Sequence, residues 1–337
     1  MSAPAAERAA AVRRSVGWFR LGARALLEVA GGDRVRWLNG MLSNDVARLE
    51  PGHARSGCYA LLLTPKGHIA ADLHVLQRGD VFWLELAAEA LAPVTAQLEK
   101  YIIADDVQLA DRSRAFARFA VEGPRAPEAV APFLGGAPPP GPDSWCAATL
   151  GGAEIALAAF GWSGESGFQL FVPAPSADAA ASALAASVRA CGGSEADAEA
   201  LEVLRIEAGI PRLGAELDED VLPAEAHLTE RAVSFSKGCY TGQEIVARLD
   251  ARGQVQHLLV GLHFEGGEPP SPGAGIEVGG RCVGEVTSAC RSAAAGVIGL
   301  GYVRRALAAV GTGVSVCGRA ARVAALPFAG IGARGAA

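Results

Sequence analysis

The chain has 337 residues and a net charge of −6, from 30 Lys plus Arg against 36 Asp plus Glu, which gives room for two or three domains with real cores. That balance argues against a protein whose task is coating nucleic acid, and the absence of a long uncharged apolar run argues against a membrane span. Seven scattered Cys without a C-x-x-C pair read as reduced thiols of a cytoplasmic protein, with no disulfide framework and no self-contained metal or cluster site.

In chain order, residues 1–17 read as a short disordered tail. Val35, Leu38, Met41 and Leu42 recur at helical spacing behind a possible Asp33 N-cap, which predicts a helix ending near Asn44. Three β-type runs from Gly57 to Leu86, separated by PKG and RGD, predict an antiparallel meander. Residues 87–101 suit a helix, 107–121 return to a strand pattern, and another helix follows GPRAPEA. A Pro/Gly loop at 135–144 precedes a hairpin turning at Gly151-Gly152. Residues 175–190 and 197–208 are predicted helices, whereas 209–235 carries no clean period, and loops that long inside a compact protein usually serve function. After Gln254, short strands alternate with Gly-rich turns up to about Pro327, the pattern of a separate all-β domain, read as a barrel.

The rare residues direct attention to sites. Only three Lys (Lys66, Lys100, Lys237) and two Asn (Asn39, Asn44) occur. A G+C-rich coding bias explains the scarcity, and under it a surviving Lys marks a place where Arg does not serve. Alternation on the second strand of the meander puts His68, Asp72 and His74 on one face and Ile69, Ala71, Leu73 and Val75 on the other, which is core. The polar row has three readings: a metal triad, a partly buried Asp72 that bonds or shuttles a proton to a ligand nitrogen, or a solvated strand face. In KGCYTGQE, Lys237 stands beside Cys239 between two Gly, a setting that favours a reactive thiolate, although a buried cysteine in an ordinary turn fits the pattern as well. Glu165 in GWSGESGF is a carboxylate suited to an aminopyrimidine edge, or an exposed turn acid. Neither a P-loop nor a G-x-S-x-G elbow is present.

Five segments in order resemble the folate-binding YgfZ and glycine-cleavage T-protein superfamily: WLNGMLSNDV, LLLTPKGHIAADLHVL, GWSGESGF, LRIEAGIPRLGAELDEDVLPAEA and KGCYTGQE. The last is similar to the signature of the YgfZ branch, in Lys237, Gly238, Cys239, Tyr240, Gly242, Gln243 and Glu244. The resemblance implies an α+β, three-domain ring around a channel that holds tetrahydrofolate. The expected parts are an N-terminal domain (18–47 plus 113–253), an inserted ferredoxin-like domain (48–112) and a C-terminal β-barrel (254–328). It implies that Asp72 faces the reactive folate nitrogens, that Glu165 and Trp162 lie near the pterin, and that Arg205 meets the folate carboxylates. Cys239, Lys237 and Asp72 are the expected chemical residues. The branch implies a role in iron-sulfur cluster assembly or repair, and thereby in tRNA modification, with iron-sulfur machinery or client enzymes as partners. The rival reading is a tetrahydrofolate-dependent aminomethyltransferase with Asp72 as its catalytic carboxylate.

Overall fold

A computed structural model describes residues 3–50 and 56–328. The chain begins with α1 (Ala5–Arg14), β1 (Gly17–Arg20), β2 (Arg24–Ala30), α2 (Arg34–Met41), β3 (Gly57–Leu63), β4 (Ile69–Arg78), β5 (Val81–Ala87), α3 (Leu91–Glu99) and β6 (Gln108–Asp111). It continues with β7 (Phe116–Glu122), α4 (Ala126–Val130), β8 (Trp145–Leu150), β9 (Ala153–Ala158), β10 (Gly167–Pro173), α5 (Ala177–Ala190), β11 (Ser194–Glu195), α6 (Ala198–Ala208), α7 (Thr229–Ala232) and α8 (Gln243–Arg252). The remainder is all β: β12 (His257–Phe264), β13 (Gly275–Val278), β14 (Arg281–Ser292), β15 (Gly296–Arg304), β16 (Gly313–Val316) and β17 (Arg319–Ala324).

These strands make a five-stranded sheet in the order β3-β4-β5-β2-β6, a six-stranded sheet in the order β11-β1-β7-β10-β9-β8, and a closed barrel of β12-β15-β14-β13-β16-β17. The α+β, three-part architecture with a C-terminal barrel is therefore the one the sequence led us to expect. The meander appears as β3, β4 and β5, all antiparallel. Helices α2 and α3 cover one face of the five-stranded sheet through Trp37, Leu38, Val94 and Leu98, while α4 and α5 cover the six-stranded sheet. The uncovered faces of the two sheets meet through Leu26, Leu76, Trp83, Phe160 and Phe171. Helix α6 is started by the Asp197 carboxylate, which accepts from the Ala200 N–H at 3.0 Å, and stopped by Gly209 in the left-handed region (φ 69°). A Cβ at Gly209 would meet Leu326 at 2.8 Å, so glycine lets the chain beyond the barrel lie against the helix end.

Two expectations are corrected. Residues 3–17 of the expected disordered tail, the part within the described residues, are ordered: α1 buries Ala9 and Val12 in a cluster with α6 and barrel residues Cys290 and Ile298. Small side chains that pack this closely give no visible hydrophobic stripe, so composition concealed the helix. The expected inserted unit beginning at 48 also omits β2 and α2, which belong to the five-stranded sheet because β2 pairs with both β5 and β6. Such non-local pairing leaves no mark on a local pattern. At α2, Asp33 occupies the N-cap position without capping, since its oxygens accept from the Asp106 N–H and from Arg36 instead.

Candidate functional site

The site is built on β4. Ala71, Leu73 and Val75 enter the core under the helices, so alternation sends Asp72 and His74 to the opposite face. Ile69 leaves that core for a separate cluster with Leu61 and Leu63, because the register slips between Leu62 and Leu63. Asp72 lines a cavity of about 560 Å³ whose walls come from all three parts: Tyr59 and His74 from the five-stranded sheet, Trp162 beyond the six-stranded one, and Leu259, Val260 and Leu326 from the barrel side. Asp72 and Trp162 also line a second cavity of about 310 Å³ that carries Arg20, Arg24 and Arg212.

Among the described residues, one side chain holds Asp72 by a hydrogen bond. The Tyr59 hydroxyl donates to Asp72 Oδ2 at 3.0 Å. Burial, then the Asp72 charge, holds the Tyr59 phenol well above its usual pKa, so it stays a donor. The Tyr59 ring lies 5.0 Å from His74, which stacks on Phe160 at 3.7 Å. His74 is buried, and that burial lowers its pKa and keeps it neutral. Its Nδ1 faces Asp143 Oδ1 at 3.5 Å, and among the described residues no group of three His, Cys, Asp or Glu is set to hold a metal ion. Behind this face, fully buried Glu85 takes Arg24 at 2.6 and 2.7 Å and Arg118 at 3.1 Å. Burial works against the Glu85 charge, but the two guanidinium groups prevail and hold its pKa down at about 2.

The KGCYTGQE segment has a different role from the one expected. Lys237 Nζ donates to the carbonyl oxygens of Asn39, Leu42 and Asn44 at 2.5, 2.6 and 2.8 Å, so all three of its protons are spent. Burial pushes its pKa down to about 8, with Asp45 acting in the other sense. Lys237 is a clip on the end of α2 and does not serve Cys239. The two Asn side chains belong to the same clip: Asn39 Oδ1 accepts from the Val46 N–H at 3.0 Å, and Asn44 Nδ2 donates to the Tyr59 carbonyl at 2.8 Å. Cys239 is exposed and lines none of the cavities described above. Gly238 and Glu244 are also exposed and Tyr240 is buried. A Cβ at Gly242 (φ 82°) would meet the Thr64 carbonyl oxygen at 2.6 Å and Gly67 Cα at 3.1 Å, so glycine lets this turn close on the β3–β4 loop as α8 begins at Gln243.

Glu165 and Arg205 are both engaged. Glu165 Oε1 accepts from Arg13 Nη1 at 3.2 Å, and Arg13 also pairs with Glu207 at 2.6 Å, so α1 supplies the partner of the turn acid. Glu165 lines a third cavity, of about 680 Å³, away from Asp72. Arg205 spends all five N–H groups, on Glu202 twice, Glu216, Ser288 and the Ile210 carbonyl, at 2.6 to 2.9 Å. Arg205 lines the 310 Å³ cavity together with Asp72 and Trp162, but with its N–H groups so engaged no donor remains for a folate carboxylate. Sequence reasoning missed Glu122, a fully buried acid that accepts from the Trp162 N–H, the Ser163 N–H and the Ser163 hydroxyl and so shapes the GWSGESG turn. A lone acid closing the apolar strand FARFAVE was its one signal. Arg231 and Tyr59 were missed as well. Arg231 lies in the stretch without a period, and Tyr59 looked like an ordinary strand aromatic.

Residues 1–237 match the GCVT N-terminal domain, and residues 258–329 match the glycine cleavage T-protein C-terminal barrel domain. The chain belongs to the glycine cleavage T-protein family. It is 32% identical over 338 residues to an aminomethyltransferase of Streptomyces coelicolor, covering 94% of this chain and 87% of the relative. It is 30% identical over 295 residues to an aminomethyltransferase of Rubrobacter xylanophilus, covering 87% and 77%. Among solved structures, the glycine cleavage system aminomethyltransferase T of Bartonella henselae superposes with a TM-score of 0.81 at 25% identity, covering 96% of this chain and 89% of that one.

These relatives overturn the iron-sulfur expectation. Proteins similar to nearly the whole chain are aminomethyltransferases, and the iron-sulfur partners belonged to the reading that falls. The residues agree, since the proposed activator of Cys239 is fully committed to backbone carbonyls. Among the described residues, no helix is long and apolar enough to cross a membrane.

Proposed function

We propose that the protein is a tetrahydrofolate-dependent aminomethyltransferase of the glycine-cleavage type, taking the aminomethyl group from a lipoyl-type carrier, with Asp72 as its catalytic carboxylate. The observation that carries this is the setting of Asp72 at the meeting of all three parts, with Oδ2 fixed by Tyr59 and Oδ1 free of hydrogen bonds from the described residues. The donor set suits a reduced folate: an acceptor carboxylate, an aromatic plane in Trp162, a guanidinium in Arg231 and apolar walls. When bound, the folate supplies the amine nitrogens that take the one-carbon unit. Asp72 accepts a hydrogen bond or a proton from such a nitrogen. Tyr59 fixes the direction in which Asp72 presents its free oxygen, and Trp162, backed by Arg24 at 5.1 Å from its ring, walls the site against water. Glu165, held by Arg13 through Oε1, lines the cavity that Arg231 shares and not the one that holds Asp72, so it stays outside the pterin site.

Within the family, KGCYTGQE supports placement on the YgfZ branch, with the segment serving as the Lys237 clip. Seven free cysteines support a reducing, cytoplasmic location. The test is formation of methylenetetrahydrofolate from an aminomethyl-lipoyl carrier by purified protein. Asp72→Asn should lower the rate by about 10²- to 10⁴-fold while anaerobic titration still shows tetrahydrofolate binding. A variant as active as the parent removes Asp72 from the chemistry, and an inactive parent removes the reading.

A further inference from the structure

The arginines around the cavities divide by whether their N–H groups are already spent. Arg205 has none left, and Arg24 clamps Glu85 through Nε and Nη2. Arg231 is different. It lines both the 560 Å³ cavity and the 680 Å³ cavity, and among the described residues no other Arg or Lys lines the first. Its guanidinium carbon stands 4.6 Å over the Tyr59 ring, a contact that orients the plane without using an in-plane N–H. Its carbonyl oxygen accepts from Asn44 Nδ2 at 3.2 Å, so the main chain is pinned too. Its carboxylate neighbour, Asp143 Oδ1, is 3.5 Å away and is shared with His74. That oxygen has no well-formed hydrogen bond among the described residues, although burial is outweighed by His74 and Arg231, which together hold the Asp143 carboxyl below its usual pKa.

We propose that Arg231 is the carboxylate receptor of the channel, and that the carboxylate is one of those on the acidic tail of the folate. The proposal rests on the folate reading above. Asp72 and Arg231 meet two sides of one Tyr59 side chain, its hydroxyl and its ring face. A single extended ligand that offers amine nitrogens to Asp72 can therefore turn its acidic end toward Arg231. A guanidinium fork matches a carboxylate in two parallel bonds, and the exposed Arg231 side chain leaves that fork open to an arriving ligand. Asp143 is the built-in competitor for that fork.

The test is anaerobic calorimetric titration of the full chain with tetrahydrofolate and with 6-methyltetrahydropterin, which keeps the reactive ring and lacks the tail. Arg231→Gln should weaken tetrahydrofolate about ten- to hundredfold, as loss of a charge-assisted pair does, and leave the pterin within about twofold, below the size of one net hydrogen bond. Asp143→Asn should act in the opposite sense and tighten tetrahydrofolate. Unchanged tetrahydrofolate affinity in Arg231→Gln overturns the proposal, as does an equal loss for both ligands. Failure of the parent protein to bind either ligand overturns the folate reading itself and is distinguishable from both.

Discussion

Lys237 carries three protons and gives each to a different carbonyl at the end of α2. A planar guanidinium cannot converge on three oxygens arranged around a point, whereas a tetrahedral ammonium does so naturally. Lys237→Arg should therefore cost about 2–4 kcal/mol, the scale of charge-assisted bonds lost and acceptors left buried, despite conserving charge; urea unfolding monitored by tryptophan fluorescence checks it. The scarcity of Lys and Asn pointed to this place in the sequence, since Asn39, Asn44 and Lys237 all belong to the clip. What scarcity did not convey was the role, because a residue kept for hydrogen-bond geometry and one kept for reactivity look alike in a string of letters. Asp72 was legible for a stronger reason: strand alternation fixes its face, and only the partner Tyr59 required coordinates.

At the scale of elements, the GWSGESG turn is held from below by Glu122, whose carboxylate meets two N–H groups and a hydroxyl. Burial dominates those bonds and raises its pKa to about 7 from 4.5. Between those values the native chain retains a proton that the unfolded chain releases, so this group's stabilisation is complete below about pH 4.5 and fades as pH rises through 7. The difference in stability between the parent and Glu122→Gln should accordingly change with pH across that window, by on the order of 3 kcal/mol; chemical denaturation at a series of pH values measures it, and a flat difference refutes it. The same turn is held from the side by Arg13 of α1, through Glu165. The sequence showed the turn by its Gly and Ser but neither support, one lying 40 residues upstream in a strand and the other in a helix with no apolar stripe.

For the molecule as a whole, the barrel is attached by an apolar cluster with α1 and α6 and by a buried polar knot. Arg205 bonds Glu216 and Ser288, Glu216 also accepts from Thr287, and Tyr302 donates to the Glu216 carbonyl. Arg205→Gln should cost about 3–5 kcal/mol, as expected when one partner of a buried ion pair is removed. It should also uncouple the barrel, so barrel amides should exchange before those of the two sheets, where the parent shows one coincident transition. The barrel was readable in the sequence because its strands pair with near neighbours, separated by obvious turns. The five-stranded sheet was only partly readable because β2 joins strands more than fifty residues away. Closure of the Asp72 cavity depends on Leu326 and Pro327, among the last described residues. During synthesis, then, Asp72 emerges from the ribosome some 250 residues before the wall that completes its pocket. A nascent chain therefore carries Asp72 long before it offers an enclosed place for a ligand, so the pocket exists only once the barrel side has folded against the two sheets.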